Sequence, residues 1–194
     1  MDVVAISETL LHQRIMDSEI LESSYVIFRQ DRQQDQRGGG VLLCLKSDFV
    51  CVRHRDLEMD EVETVVCEIS DINNSKMIIA VFYRPSNMDS GSLQNVVNIF
   101  CKIYRTRTKN IFILGDFNFP SINWSSYSSS SNFDSVFIEC LCDCFWSQLM
   151  NVSTRCANGS ATTIDLLITS VPEYVRHIES PSGVFSLDHM LTVR

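Results

Sequence analysis

Short apolar runs, most of them closed by glycine, proline or a polar cluster, recur along this chain of 194 residues. Residues 3–6, 25–28, 41–45, 77–82 and 111–114 each predict a strand, and the unalternating run at 111–114 suits one covered on both faces. Residues 61–69 predict another, with Glu63 and Glu68 at its margins; Asp71-Ile72-Asn73-Asn74 then looks like a hairpin connection. Pro85 stops the 77–82 strand because it has no donor for a ladder. The period changes after Ser92: Leu93, Val96, Val97, Phe100 and Ile103 form one helical stripe, with Ser92 able to cap the free amides. Phe133, Val136, Phe137, Cys140 and Leu141 repeat that spacing over 133–142, and residues 145–152 then predict a strand. Residues 12–24, 29–37 and the serine-rich 125–132 are polar and predict loops or surface, and 154–160 predicts a turn. Gly38-Gly39-Gly40 predicts a tight turn; without a following Gly-Lys-Ser or Gly-Lys-Thr it is not a nucleotide-binding loop.

Composition narrows this picture. The length supports one substantial core, and 45% apolar with 21% charged residues is ordinary for a globular protein. No apolar run reaches membrane-spanning length and no basic start precedes Asp2 and Glu8, so the expected setting is intracellular, with no membrane partner. Of the eight cysteines, several lie inside apolar runs and act as core filler; the Cys140-x-Cys142-x-Cys144 spacing is too tight for an ordinary closed zinc site. A formal charge of -8 opposes non-specific grip on a polyanion, because counterion release needs several cationic contacts. Any nucleic-acid role then rests on local patches: Arg29, Arg32 and Arg37; Arg53-His54-Arg55; or Lys102, Arg105, Arg107 and Lys109. The last group complements the negative pole of the helix before it as well as it complements DNA.

Candidate chemistry gathers at strand ends. Gly115 closes the 111–114 run, so Asp116 and Asn118 sit where open α/β sheets place their sites. A carboxylate offers a hard oxygen to Mg²⁺ or Mn²⁺, and an amide two residues on can orient a water or a phosphate oxygen. Tyr83 and Arg84 are expected on the same rim, a phenol and a guanidinium suited to phosphate oxygens. Asp165 lies inside a strand-like run, where an acid needs a partner or a metal unless that face meets water. Glu8 follows the first strand, and by local sequence alone reads as a helix-start glutamate after Ser7. Asp188-His189 belongs on a loop, and Arg155 in its turn is either surface or a brace for a substrate strand.

Gly115-Asp116-Phe117-Asn118 resembles the signature of the endonuclease/exonuclease/phosphatase superfamily. The order of Ile6-Ser7-Glu8-Thr9, Asp31-Arg32, Arg37-Gly38-Gly39-Gly40, Glu63-Thr64, Tyr83-Arg84-Pro85, Ile122-Asn123-Trp124, Thr154-Arg155, Ile164-Asp165-Leu166 and Asp188-His189 resembles more closely the endonuclease domain that precedes reverse transcriptase in non-LTR retrotransposons. That resemblance implies a four-layer α/β sandwich like that of deoxyribonuclease I, two packed mixed sheets flanked by helices. It implies Mg²⁺, with Mn²⁺ as the substitute, held by Glu8, Asp165 and Asp188. Catalytic roles fall to Asp116, Asn118, His189, Asp188, Asp165 and Tyr83, and substrate contacts to Arg84, Arg155 and Asn118. The implied activity nicks duplex DNA in the nucleus and leaves a 3′ hydroxyl that primes a reverse-transcriptase domain of the full-length element.

The chain departs from that pattern in three places. The family's first strand and helix have no counterpart before Asp2, Leu187 replaces the usual serine before Asp-His, and the chain stops at Arg194 as a strand begins. Residues 1–194 are accordingly expected to form one such domain, incomplete at both ends. Loss of an interior strand exposes backbone and apolar surface at several kcal/mol, roughly the usual penalty for unpaired buried groups. The alternative expectation is therefore a catalytically impaired retrotransposon remnant that does no more than bind nucleic acid or protein.

Overall fold

The computed structural model describes residues 2–32, 38–70, 75–87, 90–157, 160–179 and 192–193. Two sheets pack against each other. The smaller has three antiparallel strands in the order β1 (Val3–Ser7), β3 (Val41–Lys46), β2 (Tyr25–Gln30), so the continuous apolar run takes the central place. The larger has six strands in the order β4 (Val50–Arg53), β5 (Glu63–Ser70), β6 (Lys76–Tyr83), β7 (Asn110–Asp116), β11 (Asp165–Thr169), β8 (Ser147–Gln148). It is mixed: β6 and β7 run parallel, and the crossover between them carries helix α2 (Ser90–Arg105). Short pairs β9 (Arg155–Ala157) with β10 (Ser160–Thr162), and β12 (Ile178–Glu179) with β13 (Thr192–Val193), complete the strands. The architecture is thus α/β, with sheets flanked by helices as in the deoxyribonuclease I-like fold.

Each face of the larger sheet has its own core. Between the sheets, Val41, Leu43 and Leu45 of β3 meet Val65, Cys67 and Ile69 of β5 and Ile79, Val81 and Tyr83 of β6. On the other face, α2 lays down Leu93, Val96, Ile99, Phe100 and Ile103, and helix α3 (Asn132–Asp143) lays down Phe137, Ile138, Cys140 and Leu141. Aromatic rings dominate this second core: Phe119 stacks on Phe137 at 4.5 Å, Phe82 on Phe117 at 5.6 Å, and Phe100 meets Trp146 at 5.5 Å. Burial of such rings is the largest apolar gain in the molecule, since each removes far more area from water than an aliphatic side chain.

Several local expectations shift. α2 begins at Ser90, so Ser92 lies inside the helix rather than capping it. Ser131 caps α3 by accepting from the Asp134 amide at 3.4 Å, while Val136 faces outward. Strand β8 holds only two residues of the expected 145–152 strand, because Phe145 and Trp146 donate their amides to Cys142 and Leu141 and close α3 instead. A four-residue helix α1 (Asp17–Ile20) appears in the polar 12–24 segment. Arg29 ties that segment to β2, donating to the Ile15 carbonyl at 2.6 Å and pairing with Asp17 at 3.3 Å. Cys140 and Cys144 are buried and Cys142 is exposed, so the three thiols do not share one face. Among the described residues, no helix is long and apolar enough to cross a membrane.

Candidate active site

Strand register assembles the site. Glu63, Tyr83, Asp116 and Asp165 lie side by side on β5, β6, β7 and β11, because Glu63 pairs with Tyr83, Tyr83 with Asp116, and Asp116 with Asp165. Tyr83 belongs to the core between the sheets, so this row points toward the smaller sheet. Glu8 comes from that sheet, immediately after β1, and its carboxylate accepts the Tyr83 hydroxyl. No helix follows Ser7; Glu8 takes a φ of 54°, and the helix-start reading of local sequence gives way to a strand-end acid.

The Asp116 turn is built by alternation. Phe117 and Phe119 drop into the aromatic core, and Asp116 and Asn118 are left on the site side between them. Gly115 is required where β7 crosses Phe82, since a Cβ there would lie 1.9 Å from the Phe82 carbonyl oxygen at a φ of 141°. Asn118 adopts a φ of 48°, which asparagine tolerates better than most residues. From that turn its backbone amide donates to Asp116 Oδ1 at 2.9 Å and its side-chain amide to Oδ2 at 3.0 Å. Asp116 is only 2% exposed, and these two donors stabilise its ionised form in a place where a bare charge would be costly.

Arg84 departs from expectation. It does not emerge at the rim but is 5% exposed, donating from Nη1 to the carbonyls of Phe117 at 2.9 Å and Asn118 at 2.7 Å. Its guanidinium lies 4.2 Å over Phe119 and 5.2 Å over Phe133. Burial lowers its pKa from the usual arginine value, opposed by the charges of Asp134 and Asp116. The Asn118 side chain returns a bond to the Arg84 carbonyl at 2.9 Å. Arg84 therefore positions the Asp116–Asn118 turn through Nη1, while its buried Nε has no hydrogen-bond partner among the described residues.

Tyr83 is held as a neutral donor. Burial first, then its hydrogen bond to Glu8, pushes the phenol well above its ordinary range. Arg32 lies 5.4 Å over its ring and donates from Nε to Glu63 at 2.6 Å. Glu63 also accepts the Gly40 amide, and Gly40 and Gly39 in turn accept the amides of Thr9 and Leu10 at 3.2 and 3.0 Å. Arg32 and Glu63 thus join the glycine turn, the segment after Glu8 and Tyr83. From sequence Arg32 entered as part of a basic patch and Glu63 as a strand margin, both within pieces of the family resemblance but without a site role; a strand-margin acid becomes informative only once it pairs in register with Tyr83.

The remaining expected residues divide. Asp165 is 3% exposed, and Thr154 Oγ1 accepts its amide at 3.0 Å, which moors the β9–β10 hairpin to the end of β11. Arg155 is exposed in that hairpin. Asp188 and His189 lie outside the described residues. Among the described residues, no three His, Cys, Asp or Glu side chains gather closely enough to hold a metal ion. Of the three expected Mg²⁺ ligands, Glu8 and Asp165 lie among the described residues and Asp188 outside them.

A sequence-family profile for endonuclease-reverse transcriptase matches residues 77–193, more than half of the chain. The chain belongs to this family. It is a member of the endonuclease/exonuclease/phosphatase superfamily, related to the endonuclease domains of non-LTR retrotransposons. Its fold is similar to that of the endonuclease domain of TRAS1, a telomere-specific non-LTR retrotransposon, at 12% identity and a TM-score of 0.72, covering 99% of this chain and 83% of that one. It is similar also to the AP endonuclease LMAP from Leishmania major, at 14% identity and a TM-score of 0.75, over 98% and 76% of the two chains. The 3′ phosphatase NExo from Neisseria, solved bound to a product DNA hairpin, matches at 13% identity and 0.65, over 91% and 80%. No curated protein sequence matches the chain. Membership in the endonuclease-reverse transcriptase family supports a nuclease-type activity in general terms.

Proposed function

We propose that this chain is a retrotransposon-derived nuclease-family domain with impaired catalysis, which engages nucleic acid or a protein partner without efficient cleavage. The observation that carries this reading is how the carboxylates are used. Asp116 accepts both donors of Asn118, Glu8 accepts the Tyr83 phenol, and Glu63 accepts Arg32 and the Gly40 amide, while no three acidic, histidine or cysteine side chains among the described residues form a cation site. Such a rim orients donors and acceptors; charge stabilisation at the departing oxygen, usually the largest catalytic term, is a separate requirement.

A second reading has its own support in the row Tyr83, Asp116, Asp165. In it the domain is a Mg²⁺-dependent endonuclease that nicks target duplex DNA in the nucleus and leaves a 3′ hydroxyl for a reverse-transcriptase domain. Asp116 would align an attacking water and accept its proton, Asn118 would orient that water, and Tyr83 would donate to a phosphate oxygen. Glu8, Asp165 and Asp188 would hold the cation, His189 would stabilise the phosphoryl oxygens, and Arg155 would brace the strand. Nicking of supercoiled plasmid with Mg²⁺ or Mn²⁺ separates the two. Impaired catalysis predicts that the wild type nicks no faster than Asp116→Ala or His189→Ala, and melts at a temperature unmoved by either ion. Nicking lost in both variants, with melting raised by metal, decides for the endonuclease.

A further inference from the structure

Topology brings the ends of three elements to the edge of the larger sheet opposite the site. α2 leaves the Tyr83 end of β6 and delivers the chain to Asn110, α3 leaves beyond Asp116 and delivers it to β8, and β11 runs from Asp165 down to Thr169. That lower rim carries the exposed aromatic side chains of the described residues: Tyr104 at 45%, Phe145 at 82% and Tyr174 at 61%. Tyr104 sits edge-on to Trp146, the neighbour of Phe145, at 6.4 Å, and Ser170, which precedes the Tyr174 turn, donates to the Lys109 carbonyl at 2.6 Å.

The same rim holds a cationic run. Residues 102–109 contain Lys102, Arg105, Arg107 and Lys109 and no acid, in a chain of net charge -8. Arg105 lies in the last turn of α2 and can complement that helix's negative pole. Arg107 and Lys109 lie beyond the helix, and neither forms an ion pair among the described residues. Of the other basic residues weighed from sequence, Arg29 pairs with Asp17, Arg32 with Glu63, and Arg53 with Glu58 at 2.8 Å and the Arg29 carbonyl at 3.0 Å, while Arg55 is exposed and Arg37 lies outside the described residues.

We propose that this lower rim, formed by Tyr104, Arg105, Arg107, Lys109, Phe145 and Tyr174, binds single-stranded nucleic acid, with bases stacked on the rings and phosphates held by the cations. Planar rings interleaved with guanidinium and ammonium groups suit an unpaired strand, whose bases are free to stack. A protein interface also favours aromatic residues and arginine but disfavours lysine, and the run of cations from Arg105 to Lys109 suits a phosphate backbone better. β7 has seven residues, which separates this rim from Asp116 by roughly 20 Å at ~3.3 Å per residue. A strand held there is distinct from a phosphodiester placed in the site. The inference rests on the reading that the domain engages nucleic acid, and is independent of cleavage.

Fluorescence anisotropy of a labelled oligothymidylate of about 20 nucleotides, titrated with the full chain at several salt concentrations, tests it. The triple variant Arg105→Gln, Arg107→Gln, Lys109→Gln is expected to bind at least about tenfold more weakly, with the slope of log affinity against log salt reduced by about 2. Phe145→Ala with Tyr174→Ala is expected to weaken binding and leave that slope unchanged. All these lower-rim side chains are exposed, and melting of each variant confirms that it folds. Wild-type affinity and salt slope kept in both the triple and the double variant overturn the lower rim alone and leave the nucleic-acid reading standing. A wild type that binds neither the oligothymidylate nor a duplex overturns this inference and the nucleic-acid reading together, leaving the rim to a protein partner.

Discussion

Asp116 and Glu8 both act on Tyr83, but from unlike supports. The Asp116–Asn118 turn stands on the helix-side core, where Phe117 and Phe119 are locked among Phe82, Phe100 and Phe137, and where the Arg84 guanidinium grips two of its carbonyls. Glu8 follows β1, which lies at the edge of the three-stranded sheet that the described residues form, and depends on the glycine turn and the Arg32–Glu63 pair for lateral support. A single nuclease-type site therefore has one half fixed by ring packing and buried hydrogen bonds, and another fixed by a thin sheet and a polar network. Edge strands carry unpaired backbone groups and fewer neighbours, and local opening is expected to begin there.

The comparison is broken most severely at Gly115. A methyl group at that position meets the Phe82 carbonyl at 1.9 Å in a backbone conformation closed to alanine, so β6 and β7 must part. Gly115→Ala is expected to cost more than about 3 kcal/mol in urea unfolding, within the range of strained backbone combined with lost core packing. Next comes Arg84→Ala, which strands two buried carbonyls and empties the space against Phe119 and Phe133; about 3 kcal/mol follows from removing a buried, hydrogen-bonded cation. Glu63→Ala acts on the other half, freeing Arg32 and the Gly40 amide where both side chains are partly solvated, and is expected to cost about 2 kcal/mol. Were Glu63→Ala as damaging as Arg84→Ala in the same titration, the two halves would be equally firm and the contrast would fail.

Much of this arrangement was legible in the residues because burial wrote it there. The runs at 41–45, 77–82 and 111–114 are strands of the interior, and the Leu93-to-Ile103 stripe is the buried face of α2. Strand-end positions for Tyr83 and Asp116 could also be read, since each closes an apolar run, whereas Glu8 read locally as a helix start and Asp165 as the interior of a run, and the structure puts both at strand ends. What could not be read depends on partners distant in sequence. Arg84 looked like a rim cation because its carbonyl acceptors lie more than thirty residues away, at Phe117 and Asn118. Glu63 looked like a strand margin until the register set it beside Tyr83. Residues 145–152 looked like a strand because their apolar character says nothing of whether it closes a helix or enters a sheet.

The smallest expected effect concerns pH and sharpens the same contrast through the cysteines. Cys44 on β3 and Cys67 on β5 sit in or beside the smaller sheet, and burial pushes their thiols from 9.0 up to about 11 and about 12. On the helix side, Cys140 and Cys144 hydrogen-bond to each other, which raises Cys140 and lowers Cys144. A thiol whose folded pKa is raised stays protonated in the fold while the unfolded chain ionises. Its contribution is complete below the unfolded pKa and is lost as pH climbs toward the folded one. Stability should then fall between pH 8.5 and 9.5 by about 0.7 kcal/mol for each of Cys44 and Cys67, from the proton linkage of a group ionising near pH 9 only when unfolded. Urea midpoints at the two pH values measure this. Cys67→Ala should lessen the decline by about 0.7 kcal/mol and Cys140→Ala should not, because only the former removes a thiol that resists ionisation without a second thiol that gains from it.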